Sequence, residues 1–328
     1  MLPEPPRVVD LSKKVLISAG GGGHTGYGYA LAQRLYGKVS LCFLVPEGDV
    51  LSQKRLSKFG SVDFLLKPRG AKTPIFEFIP KLAKAFMESY NRVPGECDVV
   101  VSTGSNFCIP PALLARFKGI PIINIESSVR FTKASKTARI LQPFSAITAL
   151  QWDDQKRLLE KGTVVGPLLP EPEVESWNGG YVLVTGGTLG HKGLFDVMSD
   201  SDLENVVLQT GIVDPEPYKR EHPEWKVIKY STKFHELVAG ADVVVTHFGS
   251  TILEAVVYKK PIVVVPNPEW TRTAGIEDAK YLARKVNAVL ISETSLGSLM
   301  DAMEEAKHWK APVLTDGAKV LSDMILKL

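Results

Sequence analysis

Val15-Leu16-Ile17-Ser18-Ala19 runs into Gly20-Gly21-Gly22-Gly23-His24-Thr25-Gly26, and half a chain later Tyr181-Val182-Leu183-Val184-Thr185 runs into Gly186-Gly187-Thr188. Each stretch is a β-prone apolar run that ends in glycines. A strand, a glycine loop and a following helix bring backbone N–H groups close to a ligand, often a phosphate. Two such units imply two similar α/β halves with a cleft between them. The His inside the first loop places an acid–base group in that cleft.

Short Val/Ile/Leu runs recur on both sides of these loops, at 39–45, 62–66, 98–102, 120–125 and 146–150, then at 205–209, 226–230, 242–246, 261–266 and 288–291. Continuous apolar runs suit strands buried on both faces of a parallel sheet. Their alternation with helical stretches reads as βαβ units. The expected fold class is α/β, with two Rossmann-like parallel-sheet domains facing a cleft. Pro167, Pro170 and Pro172, interleaved with Glu171, Glu173 and Glu175, read as a linker. The expected boundaries are 1–166 for the first domain, 167–180 for the linker, 181–312 for the second domain, and 313–328 for a C-terminal helix. That helix either closes the second half or crosses to the first.

Composition excludes several classes. The chain has 328 residues, 45% hydrophobic and 23% charged, ordinary for a soluble globular protein of two domains. A net charge of +3 is too small to argue for a nucleic-acid partner. Cys42, Cys97 and Cys108 lack metal or redox spacing, and Cys42 and Cys97 fall in strand-like runs as buried thiols of a reducing compartment. No apolar run reaches the roughly 18–20 residues of a membrane span. Met1-Leu2-Pro3-Glu4-Pro5-Pro6 does not read as a signal peptide, so a cytoplasmic location is expected. Asp200-Ser201-Asp202 lies in a polar turn, and no metal site is expected.

The candidate chemistry lies at strand ends. Gly21, Gly23 and Gly26 satisfy G-x-G-x-x-G with Glu47 after the next strand, which also fits a nicotinamide-dinucleotide site. His24, just before a helix, serves as a base, a phosphate contact or a packed loop residue; the positive helix end favours neutral imidazole, as a base requires. Gly104-Ser105-Asn106 opens another helix after a strand. Glu126 and Arg130 follow a further strand, at the sheet edge where ligands bind, with Lys133, Lys136 and Arg139 beyond them. In the second half, Thr246-His247-Phe248-Gly249-Ser250-Thr251-Ile252-Leu253-Glu254 follows a strand. Its open helix N–H groups and the Ser250 and Thr251 hydroxyls suit a diphosphate, and Glu254 suits ribose hydroxyls. The dinucleotide reading leaves this second motif unexplained. From Pro74 to Arg92, Phe76, Phe78, Ile79, Leu82, Phe86, Met87 and Tyr90 alternate with Lys81, Lys84 and Arg92. That pattern fits either a helix packed on the sheet or one resting on a membrane interface.

The first half resembles the membrane-anchored subunit of the eukaryotic UDP-N-acetylglucosamine transferase of lipid-linked oligosaccharide synthesis, through Gly22-Gly23-His24-Thr25, Glu126-Ser127 with Arg130, Ser135-Lys136-Thr137 and Gln151-Trp152. The second half resembles its donor-binding subunit through Gly186-Gly187-Thr188, Thr246–Glu254 and the 277–283 helix, and both halves are more distantly similar to MurG. The resemblance implies a natural fusion of the two subunits with the GT-B fold. It further implies an inverting hexosyltransferase that moves N-acetylglucosamine from a UDP-sugar to a polyprenyl-diphosphate-linked sugar, in the manner of dolichol-linked N-glycosylation, with no cofactor and no metal in the chemical step. His24 or Glu126 would be the base. Gly23, Thr25, Gly104, Ser105, Asn106, Arg130 and Lys136 would bind the acceptor. Gly186, Gly187, Thr188, His247, Gly249, Ser250, Thr251 and Glu254 would bind the donor. The family's donor motif is one residue longer, and its His-Gln pair is replaced by Asp278-Ala279, so an amide contact to the donor falls to Asn267, Thr273 or Glu277. An anchoring membrane helix has no counterpart, so lipid access falls to the Phe76–Tyr90 surface or to a membrane-protein partner, peripheral at the cytoplasmic face. A UDP-sugar epimerase of similar architecture and a non-catalytic UDP-sugar-binding scaffold are the competing expectations.

Overall fold

The computed structural model describes residues 12–69, 74–270 and 274–328. The first domain contains β1 Lys14–Ser18, α1 Gly23–Leu35, β2 Ser40–Pro46, α2 Val50–Leu56, β3 Ser61–Leu65, α3 Ile75–Arg92, β4 Val99–Ser102, α4 Ile109–Phe117, β5 Ile122–Ile125, α5 Lys136–Leu141, β6 Ile147–Leu150 and β7 Thr163–Val164. The second contains β8 Val182–Thr185, α6 Lys192–Ser199, β9 Val206–Gln209, α7 Glu216–Glu221, β10 Lys226–Ile228, α8 Phe234–Gly240, β11 Val243–Thr246, α9 Ser250–Val257, β12 Ile262–Val264, α10 Ile276–Lys285, β13 Val289–Leu290 and α11 Leu296–Ala306, and α12 Gly317–Lys327 follows. The runs read from sequence as strands are strands, with ends that differ by one or two residues. β7 was not anticipated, because two residues carry no periodicity.

Every strand pair is parallel. The first sheet has 7 strands in the order β3-β2-β1-β4-β5-β6-β7, and the second has 6 in the order β10-β9-β8-β11-β12-β13. Two Rossmann-like sheets are therefore present, as expected. The central strands are mostly apolar because helices cover both faces; Val99, Val100, Val101, Val244 and Val245 are completely buried. In each sheet the order reverses at the central pair, β1/β4 and β8/β11. Loops leaving a reversing pair diverge to opposite faces and open a crevice at the carboxyl ends. The topology thus puts Ala19–Gly22 beside Thr103–Ser105 in one domain, and Gly186–Thr188 beside His247–Gly249 in the other.

The C-terminal helix crosses back. α12 packs along α1, with Ala318, Leu321 and Ile325 fully buried. The Lys13 ammonium donates to the carbonyls of Ile325 and Leu326, both at 3.1 Å, closing the negative end of that helix. Among the described residues no helix is long and apolar enough to cross a membrane.

Candidate active site

The two switch-point crevices face each other. A Cβ placed on Gly23 would stand 3.3 Å from Ser250 Oγ, and one on Gly22 would stand 3.5 Å from Thr188 Oγ1. The N-terminal turns of α1 and α9 therefore meet across the cleft, each with its helix end toward the other domain.

His24 occupies this junction. Its Nδ1 lies 2.7 Å from the Thr103 carbonyl, which can only accept. Nδ1 therefore carries the proton, and a neutral ring keeps its lone pair on Nε2. Desolvation pulls its pKa down to about 4, against the Thr103 bond, and the positive charges of Lys67 and Arg130 push the same way. At neutral pH the ring is an unprotonated acceptor of fixed tautomer. Gly104 makes this approach possible: at φ +98° its absent side chain would have stood 2.9 Å from His24 Cε1. Lys67 was not singled out by sequence, because a lone Lys after β3 has no motif; its ammonium bonds the Gly20 carbonyl at 3.2 Å.

Ser105 holds φ 68° and ψ 161°, a region that glycine normally occupies. Its hydroxyl is buried without a partner among the described residues, as is Asn106 Oδ1, while Asn106 Nδ2 donates to Arg69 O at 3.2 Å. This strained turn, packed on Gly20 and His24, offers two unsatisfied polar atoms. The Arg130 guanidinium has no hydrogen bond or ion pair among the described residues. Burial lowers its pKa, while Glu126 and Asp278 favour its charge. Lys136 is exposed at the start of α5.

Two of the expected site residues, Glu126 (catalytic) and Thr25 (acceptor-binding), are engaged inside the first domain. Glu126 is fully buried, and its two carboxylate oxygens accept the N–H groups of Ser127 at 2.7 Å and Ser135 at 2.8 Å. Burial raises its pKa despite these bonds. The carboxylate thus clasps the loop that follows its own strand instead of presenting a base to the cleft. Thr25 is likewise buried, with its hydroxyl 2.7 Å from Ser52 Oγ inside the first domain.

On the other side, Gly186 fits where a Cβ would stand 2.3 Å from the Gly190 carbonyl carbon, so it shapes the loop. Gly187 turns with φ +68° and its N–H bonds Thr185 Oγ1 at 3.0 Å. Thr188 is exposed toward the cleft. His247 stands next to Gly249, its Nδ1 is buried without a partner among the described residues, and desolvation lowers its pKa to about 4. Gly249 caps α9 without any side-chain bond, leaving the amides of Ser250 and Thr251 for a ligand. Glu254 is less free than expected. It is buried, Oε1 pairs with Arg55 Nη2 of α2 at 2.9 Å, and Oε2 is buried without a partner among the described residues. The Arg55 guanidinium in turn lies 4.2 Å over the Tyr29 ring. Glu254 therefore ties the domains together while keeping one oxygen unsatisfied. Asn267 turns its Oδ1 onto the Glu269 N–H at 3.0 Å, Glu277 is exposed and paired with Lys280, and Thr273 lies outside the described residues. Among the described residues no group of three or more His, Cys, Asp or Glu side chains could hold a metal ion.

Comparison with known proteins gives three findings. Residues 181–313 match the glycosyltransferase family 28 C-terminal domain. A UDP-N-acetylglucosamine–N-acetylmuramyl-(pentapeptide) pyrophosphoryl-undecaprenol N-acetylglucosamine transferase of Lawsonia intracellularis is 25% identical over 317 residues, covering 86% of this chain and 85% of the relative. Among solved structures, MurG of Acinetobacter baumannii superposes with a TM-score of 0.64 at 18% identity, covering 96% of this chain and 100% of that one. A UDP-GlcNAc 2-epimerase of Methanocaldococcus jannaschii gives the same TM-score, 0.64, at 15% identity and the same coverage, 96% and 100%. Both neighbours carry the fold, and the GT-B expectation holds. The C-terminal half is similar to the C-terminal domain of glycosyltransferase family 28. A single-chain relative that spans both halves leaves a fusion of two separate subunits without support. Dolichol and N-glycosylation are also unsupported, since the relative's acceptor is linked to undecaprenol.

Proposed function

We propose that the chain is an inverting hexosyltransferase that moves N-acetylglucosamine from UDP-N-acetylglucosamine to a sugar carried on a polyprenyl diphosphate. The observation that carries this reading is His24: a neutral ring, its tautomer set by the Thr103 carbonyl at 2.7 Å, at the meeting of two helix N-termini. His24 Nε2 takes the proton of the acceptor hydroxyl as that oxygen attacks the anomeric carbon. The bond from that carbon to the UDP oxygen breaks, and UDP leaves with the electron pair. The growing negative charge falls at the α9 N-terminus, where the open amides and the Ser250 and Thr251 hydroxyls stabilise it. Arg130 and Lys67 give the acceptor diphosphate two cations on the other side. The Lawsonia intracellularis relative's name supports both substrate classes.

The acceptor is lipid-borne, and one surface suits that. Phe76, Ile79, Met87 and Tyr90 of α3 are 65–74% exposed, and Phe117 of α4 is 83% exposed. Lys81, Lys84, Arg92 and Lys118 flank them. Apolar side chains ringed by cations fit a peripheral protein on an anionic membrane face.

The test is transfer of labelled N-acetylglucosamine from UDP-N-acetylglucosamine to a short polyprenyl-diphosphate-linked sugar, with His24→Ala alongside. Transfer by the wild type, with a His24→Ala kcat lower by about 10²-fold or more, supports the reading. UDP binding without transfer favours a scaffold. A second reading, epimerisation of the UDP-sugar, draws on the Methanocaldococcus jannaschii neighbour. Conversion of UDP-N-acetylglucosamine to its epimer without acceptor, followed by proton NMR, would favour it.

A further inference from the structure

Asp278 stands in the first turn of α10 in the C-terminal domain, yet most of its bonds go to the other domain. It is 3% exposed. Its Oδ1 accepts the N–H of Phe131 at 2.7 Å and that of Thr132 at 2.8 Å. The Thr132 hydroxyl is shared between Oδ1 at 3.1 Å and Oδ2 at 3.0 Å, and Oδ2 also accepts the Gly275 N–H at 3.0 Å. One turn further on, the Tyr281 ring stacks on Phe131 at 5.5 Å and 9°. Trp152 stacks on Phe131 from within the first domain, at 6.1 Å.

The loop held in this way runs from Ser127 to Ser135 and carries Arg130. Glu126 pins its two ends from inside the first domain, and Asp278 pins its middle from outside. Arg130 directly precedes Phe131, and its charge is felt by Glu126, Asp278 and His24. A carboxylate is the group required here. It accepts several N–H and O–H bonds with no donor of its own, and it sits at the positive end of α10. An amide would turn an NH₂ group toward either Gly275 or the Phe131–Thr132 turn.

We propose that Asp278 is a positioning residue for the acceptor. By holding Phe131 and Thr132 from the donor domain, it sets the loop that carries Arg130, so the acceptor site is complete only when the two domains are docked. This rests on the reading above, in which the first-domain crevice takes a diphosphate-linked acceptor.

The experiment uses the full chain with Asp278→Asn and, because that buried change risks the fold, Thr132→Val at an exposed position. Steady-state transfer is measured while donor and acceptor are varied separately, and amide exchange is followed at Phe131 and Thr132. Asp278→Asn is expected to raise the acceptor KM about tenfold, and Thr132→Val about threefold, with donor KM and kcat within about twofold. Exchange at both amides quickens in Asp278→Asn. A role in stability alone would lower the melting temperature without this split. With wild-type transfer intact, an acceptor KM unchanged in both variants, or equal losses in kcat and both KM values, overturns the positioning role alone. A wild-type chain that transfers no sugar overturns the parent reading, whatever the amides do.

Discussion

Replacing Gly104 by alanine is expected to cripple turnover while leaving the fold standing. The new Cβ would lie 2.9 Å from His24 Cε1 and 3.0 Å from its Nδ1. Carbon atoms in comfortable contact stand at about 3.5 Å or more, so the ring must withdraw by about half an ångström. That movement stretches the 2.7 Å bond from Nδ1 to the Thr103 carbonyl, which sets both tautomer and ring direction. A base displaced on this scale loses about 10²-fold in kcat. A non-glycine residue at φ +98° adds about 1–2 kcal/mol of strain, a melting temperature lower by about 2–4 °C. UDP affinity should not change, because no donor group moves. The assay pairs steady-state transfer with UDP calorimetry and thermal unfolding. A folded Gly104→Ala protein with kcat within about threefold of wild type would refute the reasoning, since His24 would then not be the proton acceptor held by this contact.

Acid is the next lever. His24 and His247 are both drawn from 6.5 to about 4 by desolvation, so the folded state holds them neutral while the unfolded chain protonates them. Their stabilisation is complete above pH 6.5 and is lost as pH falls toward 4, by up to about 3 kcal/mol each; urea unfolding at pH 7 and 4.5 reads the loss. The acid limb of kcat/KM should accordingly fall near pH 4, not near 6.5. Glu254→Ala should both weaken UDP binding and lower stability, by roughly 1–3 kcal/mol, less than a fully buried pair because Arg55 remains one-third exposed. Stability loss with unchanged UDP affinity would leave Glu254 only its role between the domains. Phe76→Ser with Met87→Ser should reduce co-sedimentation with anionic vesicles and spare transfer to a water-soluble acceptor. Undiminished vesicle binding would dismiss that face.

Sequence reading reaches those features whose physics is local. Val243, Val244 and Val245 form a continuous apolar run because both faces of the strand are covered, and such a run marks a buried parallel strand. Glycines after β1 and β8 mark the switch points for the same reason. The bonds of Glu126 to the Ser127 and Ser135 amides were not legible, because a polar residue at a strand end looks alike in sequence whether it serves a ligand or its own loop. The roles of Asp278, Arg55 and Lys67 escaped notice because their partners lie far away in sequence. Asp278 meets Thr132 across 146 positions and Arg55 meets Glu254 across 199, and no periodicity encodes such pairs.

The return of α12 to the first domain bears on how the protein is made. Gly317 seats this helix where an added Cβ would stand 2.0 Å from the Gly166 carbonyl oxygen, and its N–H bonds Pro167 O at 3.0 Å. The outer cover of α1 is thus translated after the whole second domain. While the ribosome is building residues 181–306, the helix that covers the flank of α1 has not yet been made. Final burial then depends on a contact of very long sequence separation, which slows folding. During synthesis that flank is the natural place for a chaperone to hold the nascent chain.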